Sequence, residues 1–283
     1  MNYRIFTDSG CDLPNNLIQA WQVTCIPLTW YFEDAPEEHP VMDASAFFDE
    51  MRAGRVAKTA AVNIHQFEGA FRKALDAGED IIYLGFSSGL SVTVHSAIQA
   101  ANALREEYPE RNIIAIDTVC ASGGQGLLVY DAVQKRDQGM TIHELENYVL
   151  ENYPKISHWF TVDDLVYLKR GGRISATTAL LGGLLHIKPV LHLADNGKIE
   201  SMRKVRGRSS AFRDLAKTYE TTALDPNGPI IIVHADCEEE AEKVKGMLED
   251  KGGNVVVMSQ FTPVVGAHIG PGTIAVFYYG KER

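Results

Sequence analysis

The sequence predicts an α/β protein of two domains, the first with a mostly parallel sheet covered by helices. Two observations lead to this fold class. Short, continuous apolar runs alternate with amphipathic segments, which is typical of parallel strands that are buried on both faces. The chain also has 283 residues, a length that suits two domains better than one.

The first half carries the clearer alternation of the two patterns. Its strand-like runs occupy residues 3–7, 23–32, 80–86 and 112–117. Its helical patterns occupy residues 14–21, 44–53, 64–77, 91–108 and 121–138. Parallel sheets bind their ligands at the carboxyl ends of the strands, so we expect a ligand at that edge.

A second set of strands and helices begins near Trp159, and we predict domains at 1–157 and 158–283. Strand patterns cover 187–193, 229–235, 254–259 and 273–279, with helices near 207–221 and 238–251. The pair Asn196-Gly197 indicates a β-hairpin with a type I′ turn, because both central residues of that turn need a positive φ.

The composition is that of an ordinary globular protein, with 45% hydrophobic and 23% charged residues. No apolar run reaches the roughly 20 residues that span a bilayer, and the first residues do not resemble a signal peptide. Four cysteines stand far apart without a C-x-x-C pair, which predicts reduced thiols. We expect a cytoplasmic protein without stable membrane insertion, metal or cofactor.

The charge is distributed unevenly along the chain. Residues 155–217 contain twelve Lys or Arg against five Asp or Glu, although the whole chain has a net charge of −10. A basic segment in an acidic protein predicts one surface that meets an anionic partner. The overall acidity argues against nucleic-acid binding, which relies on many phosphate contacts.

The segment 85–97 (GFSSGLSVTVHSA) follows an apolar strand and opens a predicted helix. Its hydroxyls should lie in the first turns of that helix, where free N–H groups and a partial positive charge suit an anion such as a carboxylate. A plain N-cap role for Ser87 or Ser88 is the simpler interpretation. The hydroxyl residues are Ser87, Ser88, Ser91 and Thr93.

The same segment contains a G-x-S-x-G pattern centred on Ser87. Between a strand and a helix this pattern is typical of a serine hydrolase or esterase, with Ser87 as nucleophile. Asp163 or Asp236 together with His268 would then complete the order Ser, Asp, His along the chain. We therefore keep a hydrolase as the alternative function.

Asp8 and Asp12 follow the first strand and could ligate a metal or act in acid–base catalysis. The simpler interpretation is that Asp8 bonds the loop backbone and that Asp12 caps the following helix, with Pro14 in its first turn. We favour this structural interpretation, because the spacing is not that of a calcium loop.

A basic loop surrounds the glycine pair Gly171-Gly172. It predicts a phosphate site or a docking surface for a partner that uses a nucleotide, and a solvated loop is the alternative. The docking candidates are Lys169, Arg170 and Arg173.

The segment 179–185 that follows the basic loop is apolar on every face and should be buried. It is a core helix or, alternatively, the wall of an acyl-chain tunnel. The tunnel candidates are Leu181, Leu184 and Leu185.

These motifs together resemble the DegV family, which includes the fatty-acid-binding subunits of bacterial fatty acid kinase. The most specific match is the run from Val162 to Ile174, which contains D-D-L-x-Y-L-K-R-G-G-R-I. Further matches are Asp8-Ser9 with Asp12-Leu13, Lys58-Thr59, Ser87-Ser88-x-Leu90-Ser91, Ile187-Lys188-Pro189, Lys204-Val205-Arg206 and His268-x-Gly270-Pro271-Gly272.

The resemblance implies two α/β domains with a long-chain fatty acid buried between them. It places the carboxylate on Thr59 and Ser87, with Arg206 and His268 near the same end, and Ser88 is a further candidate. It also implies that a partner fatty acid kinase phosphorylates the bound carboxylate, so that this chain is not itself an enzyme. The chain departs from the family pattern at Ala60-Ala61-Val62 and at Val92.

Overall fold

The computed structural model describes residues 3–37, 42–175, 186–281 and 283. The strands are β1 (Tyr3–Asp8), β2 (Thr24–Ile26), β3 (Thr29–Phe32), β4 (Ala57–Ala60), β5 (Asp80–Phe86), β6 (Ile113–Cys120), β7 (Ile156–Thr161), β8 (Ile187–Leu193), β9 (Ile199–Arg206), β10 (Pro229–His234), β11 (Asn254–Gln260) and β12 (Ile274–Tyr279). The α-helices are α1 (Asn15–Ala20), α2 (Ala44–Arg52), α3 (Ile64–Asp76), α4 (Thr93–Glu107), α5 (Gly123–Asp137), α6 (Ile142–Asn152), α7 (Val166–Arg170), α8 (Arg208–Thr222), α9 (Glu238–Glu249) and α10 (Pro263–Ile269).

The first sheet is parallel throughout, in the order β2-β1-β5-β6. Alternate residues of β5 point to opposite faces, as the pleat requires. Ile81 and Tyr83 pack with α3 and α4, whereas Ile82 and Leu84 pack with α5 and α6. Helices therefore cover both faces of a parallel sheet, as the continuous apolar strands predicted.

The second sheet is mixed, in the order β11-β10-β12-β7-β8-β9. Strands β10 and β11 are parallel, and the remaining pairs are antiparallel. Helix α5 packs against β1 and β5 of the first sheet and against β10 and β12 of the second. Its Gly123 and Gly124 allow this approach, because an added Cβ would lie 2.5 Å from Phe277 and 2.2 Å from His158, respectively.

Two predicted features differ from the structure near the sheets. The apolar run 23–32 is two strands separated near Pro27, with β2 in the first sheet and β3 paired antiparallel with β4. Proline has no N–H to give to a sheet, which explains the break. The predicted boundary at 157/158 falls inside β7, and we propose instead a boundary just before Ile156.

The β8–β9 turn also differs from the predicted type. Asn196 is not among the described residues with positive φ, whereas Gly197 has φ of +71°. The amide of Gly197 donates to Ala194 O at 2.8 Å, and that of Ala194 donates to Lys198 O at 2.9 Å. The connection is thus a three-residue loop with a left-handed glycine, and the type I′ prediction was wrong.

Within the part of the chain that the structure describes, we find no helix with the length and apolar character needed to cross a membrane.

Candidate functional site

A cavity of about 470 Å³ lies between the two sheets. The carboxyl ends of β1, β5 and β6, with the loops that follow them, contribute Gly10, Phe86 and Ala121 to its wall. The second sheet contributes Phe160 and Leu193 from the opposite side. The cavity thus occupies the edge of the parallel sheet where a ligand was expected.

Most of the cavity wall is apolar. Aromatic and branched side chains from both sheets and from α10 face it, and these are the groups that line hydrophobic ligand sites. They include Leu28, Phe86, Leu90, Phe160, Leu168, Leu193, Ile199, Phe261, Val264, Val265, Ile269 and Phe277. Such a surface suits a hydrocarbon chain and not a sugar or a nucleotide.

A small polar group on the wall is built around His268, which lies in the last turn of α10. Its Nε2 and the Thr59 hydroxyl form a hydrogen bond of 2.8 Å. Its Nδ1 is buried and has no hydrogen-bond partner within the described residues. Burial, followed by the charges of Arg173 and Lys58, lowers the pKa of His268 to about 4. The imidazole is therefore neutral at pH 7.

Arg173 brings a cation to the same wall. Its Nε donates to Leu90 O at 3.1 Å, and its Nη1 donates to Gly171 O. Burial lowers the pKa of this guanidinium, and no carboxylate of the described chain lies within ion-pair distance of it. A half-buried cation whose acceptors among the described residues are neutral backbone carbonyls favours an anionic ligand.

The hydroxyl segment lies before α4 and not within it, because the helix begins at Thr93. Ser88 and Ser91 line the cavity, and the Ser91 hydroxyl is hydrogen-bonded to that of Thr93 at 2.9 Å. Val92, where the family pattern has glycine, also lines the cavity and is 67% exposed. The prediction of helical turns was therefore wrong for Ser87, Ser88 and Ser91 and right for Thr93, the first residue of α4. Ser88 and Ser91 nevertheless reach the site.

Ser87 is fully buried and does not belong to the cavity wall. Its hydroxyl donates to Gly197 O at 3.1 Å and accepts from the Gly89 amide at 3.1 Å. The histidine proposed as its catalytic partner, His268, is hydrogen-bonded to Thr59 instead. The geometry therefore gives no support to the serine hydrolase alternative.

Other candidates are placed outside the cavity wall. Arg206 is exposed at the end of β9, and Lys169 and Arg170 are exposed on α7. Arg173, predicted to dock a partner, is the member of that basic loop that faces the cavity. The tunnel candidates Leu181, Leu184 and Leu185 lie outside the described residues.

The two aspartates after β1 are buried and hold the loops around the cavity. Asp8 accepts from the amides of Gly10 and Phe86 and from the Tyr83 hydroxyl. Asp12 does not cap α1, as its sequence position suggested. Its Oδ1 instead accepts from the amide and the hydroxyl of Thr262, both at 2.7 Å, just before α10. A left-handed backbone at Asp12, with φ of 52°, turns the side chain toward the second sheet.

Burial dominates the acidity of both aspartates. It raises the pKa of Asp8 above its usual value and raises the pKa of Asp12 to about 7. The hydroxyls of Ser122 and Thr262 oppose this effect at Asp12. In the described parts of the chain no three His, Cys, Asp or Glu side chains converge as metal ligands would.

Comparisons with known proteins agree with this arrangement. The family model described as "Uncharacterised protein, DegV family COG1307" matches residues 2–281. The chain belongs to the DegV family. A DegV domain-containing protein of Clostridium perfringens is 39% identical over 99% of this chain and 98% of its own length.

Two solved structures in the family share the fold. A DegV lipid-binding protein from Thermotoga maritima superimposes with a TM-score of 0.83 at 30% identity, covering 100% of both chains. A DegV protein from Thermus thermophilus, described by its fatty acid binding, gives a TM-score of 0.85 at 27% identity, covering 99% of this chain and 100% of its own.

Sequence reasoning assigned Arg173 to a docking surface and missed it as a member of this site. Its motif was recognised, but the direction of its side chain follows from tertiary packing. Gly171 packs so closely on His268 that a Cβ there would lie 2.3 Å from Nδ1, and Gly172 has φ of +70°. This tight turn directs Arg173 to the cavity. The glycine pair was the feature of the sequence that indicated such a turn.

Proposed function

We propose that this chain binds a fatty acid in the cavity between its sheets. The observation that carries the proposal is an apolar cavity with one cation, Arg173, that has no acidic partner in the described chain. Each methylene removed from water contributes about 0.8 kcal/mol, so a long acyl chain supplies most of the affinity. The lipid and fatty acid binding of the Thermotoga and Thermus relatives supports the same ligand class.

The carboxylate would bind at the polar group formed by Thr59, His268 and Arg173. An unpaired carboxylate is costly to bury, whereas charge-assisted hydrogen bonds to a guanidinium offset that cost. Ser88 and Ser91 are further hydroxyl donors on the same wall. Thr59 and His268 thus keep the role at the carboxylate that the resemblance implied. Arg173 takes the place of Arg206, and Ser87 does not contact the carboxylate directly.

Native mass spectrometry of the purified protein tests the proposal. We expect a mass excess that matches a fatty acid and that organic solvent extracts. The variant Arg173→Ala should lose most of it, and Arg170→Ala, an exposed arginine of the same basic loop, is the matched control. Protein that carries no lipid and takes up none from a fatty acid mixture would contradict the proposal.

We also propose that the exposed basic residues dock a fatty acid kinase, which would phosphorylate the carboxylate in the cytoplasm. Lys169, Arg170 and Arg206 lie outside the cavity wall and are exposed to solvent. A partner carrying an anionic nucleotide suits such a surface. The reaction would then belong to the kinase, and this chain would supply the bound substrate.

Charge reversal separates docking from lipid binding. The double variant Arg170→Glu/Arg206→Glu should keep its fatty acid. Acyl-phosphate should form more slowly on it than on the parent when a fatty acid kinase and ATP are added. Lys73→Glu/Lys243→Glu, a reversal of two exposed charges on α3 and α9, is the matched control. Unchanged acyl-phosphate formation by the reversed variant would rule out this docking surface.

A further inference from the structure

The β8–β9 hairpin of the second sheet touches the first domain at Ser87. The contact is made by the loop 194–198, whose Gly197 carbonyl accepts a hydrogen bond from the buried Ser87 hydroxyl at 3.1 Å. The same serine oxygen accepts from the Gly89 amide. One side chain therefore joins its own loop to a hairpin from the other sheet.

The backbones on the two sides of this contact lie unusually close together. A Cβ on Gly197 would lie 2.1 Å from Ser87 Oγ, and one on Gly89 would lie 2.5 Å from Gly197 O. Gly197 also needs its φ of +71°, a conformation that other residues adopt only with strain. Glycine at both positions permits the contact that the Ser87 hydrogen bond then holds.

The hairpin forms part of the cavity wall. Leu193 and Ile199, on either side of its loop, line the cavity. They belong to one apolar cluster with Phe86, Leu90 and Ala121 of the first domain. If the hairpin moved away from Ser87, these contacts would separate and the cavity would open to solvent.

Among the described residues, few contacts other than those with the first domain hold the tip of this hairpin, residues 193–199. Strand β9 is an edge strand that pairs, within the same part of the chain, with β8 alone. Strand β8 in turn pairs with β7 only from Val190 to His192. Beyond His192, the described part of the hairpin depends on its own hydrogen bonds and on packing with the first domain and with Val265 of α10. Edge segments with few neighbours are those that open at the lowest free energy.

We propose that Ser87 is a positioning residue that fastens the β8–β9 hairpin over the cavity and so retains the bound acyl chain. This inference rests on the proposed fatty acid function. It gives Ser87 an indirect role, because the serine holds the wall and does not touch the carboxylate. Loss of its hydroxyl should therefore affect neutral and anionic ligands alike.

The test compares a fatty acid with the fatty alcohol of the same chain length. In Ser87→Ala, we expect both ligands to dissociate roughly fivefold faster, the factor that corresponds to one net hydrogen bond. Stopped-flow transfer of each ligand to lipid vesicles measures the rates. Lys198→Ala, an exposed change in the same loop, is the matched control and should leave both rates unchanged.

Hydrogen exchange in the ligand-free protein provides a readout that general destabilisation would not produce. In Ser87→Ala, exchange should increase at residues 193–199 and stay unchanged in β5 and β6. An effect on the fatty acid alone would make Ser87 a carboxylate ligand and overturn the inference, as would unchanged rates and unchanged exchange. Parent protein that binds neither ligand would overturn the proposed function, while the exchange result would still decide whether Ser87 fastens the hairpin.

Discussion

Arg173 and Arg206 lie in the same basic segment of the sequence, yet only Arg173 reaches the cavity. Burial along β9 alternates, so that Met202, Lys204 and Arg206 point to solvent. A residue's family motif therefore indicates which part of the fold it occupies, and the pleat or turn decides which way it points.

Replacing the Arg173 guanidinium should weaken fatty acid binding. We expect Arg173→Gln to cost about 1.5–3 kcal/mol of binding free energy, the range for a hydrogen bond to a charged group. The matching fatty alcohol should lose much less. Isothermal titration with both ligands measures the difference, and equal losses would show that the arginine only packs against the chain.

His268 should make fatty acid binding depend on pH. Without ligand, its pKa is about 4. A carboxylate beside the ring would stabilise the imidazolium and raise that pKa. The complex then binds more protons than the free protein, so affinity should increase as pH falls from 7 toward 5. This pH dependence should disappear in His268→Asn, which has no imidazole, and any dependence that remains there reports protonation of the fatty acid itself. A pH profile identical to that of the parent would exclude the histidine.

Asp12 should make protein stability depend on pH in the opposite sense to a salt-bridged carboxylate. Its folded pKa of about 7 lies above the ordinary value of 3.8. The folded state therefore holds a proton that the unfolded state releases, and this contribution is present below pH 3.8 and lost as pH rises through 7. Asp12→Asn, which cannot ionise, should keep the acceptor for Thr262.

The measurement for Asp12 is urea unfolding at pH 5 and at pH 8. We expect the difference in free energy of unfolding, variant minus parent, to be larger at pH 8 than at pH 5. At pH 8 the parent buries a charged carboxylate and the variant does not. Asp214→Asn, a change at an aspartate that pairs with Arg203, is the control. A difference that does not grow with pH would refute the assignment.

At the scale of elements, regular patterns were easier to predict than short ones. Helices α3, α4 and α5 run for thirteen to fifteen residues with clear apolar spacing, and their predicted bounds agree to within two residues. Helix α10 has seven residues, and it was not among the helices that the sequence predicted. His268 therefore belongs to a helix that periodicity could not reveal.

Two helical glycines should respond oppositely to alanine. Gly69 in α3 has no atom within 4 Å of an added Cβ, so Gly69→Ala should stabilise the protein by about 0.5–1 kcal/mol. Gly124 in α5 would meet His158 at 2.2 Å, and Gly124→Ala should destabilise it by roughly 1–3 kcal/mol. Urea unfolding measures both. Stabilisation at Gly124 would mean that α5 does not pack this closely on the second sheet.

At the scale of the whole molecule, the cavity depends on contacts that no local pattern contains. Thr59 and His268 are 209 positions apart in the sequence, and Asp12 reaches Thr262 across a similar interval. The resemblance to the family implied that Thr59 and His268 lie near the same end of the ligand. The α/β pattern predicted that the ligand binds at the carboxyl edge of the parallel sheet. The orientation of Ser87 and Arg173 required the packing of both sheets together.

Because both sheets line the cavity, a bound fatty acid should stabilise the entire protein. A ligand that binds only the folded state adds about 2.7 kcal/mol when its free concentration is one hundred times Kd. We expect delipidated protein to melt at a lower temperature and to recover on titration with fatty acid, with a smaller recovery in Arg173→Gln. Differential scanning calorimetry would show one transition that moves as a whole. If only part of the chain shifted its melting temperature, the ligand would contact a single domain and the cavity between the sheets would not be its site.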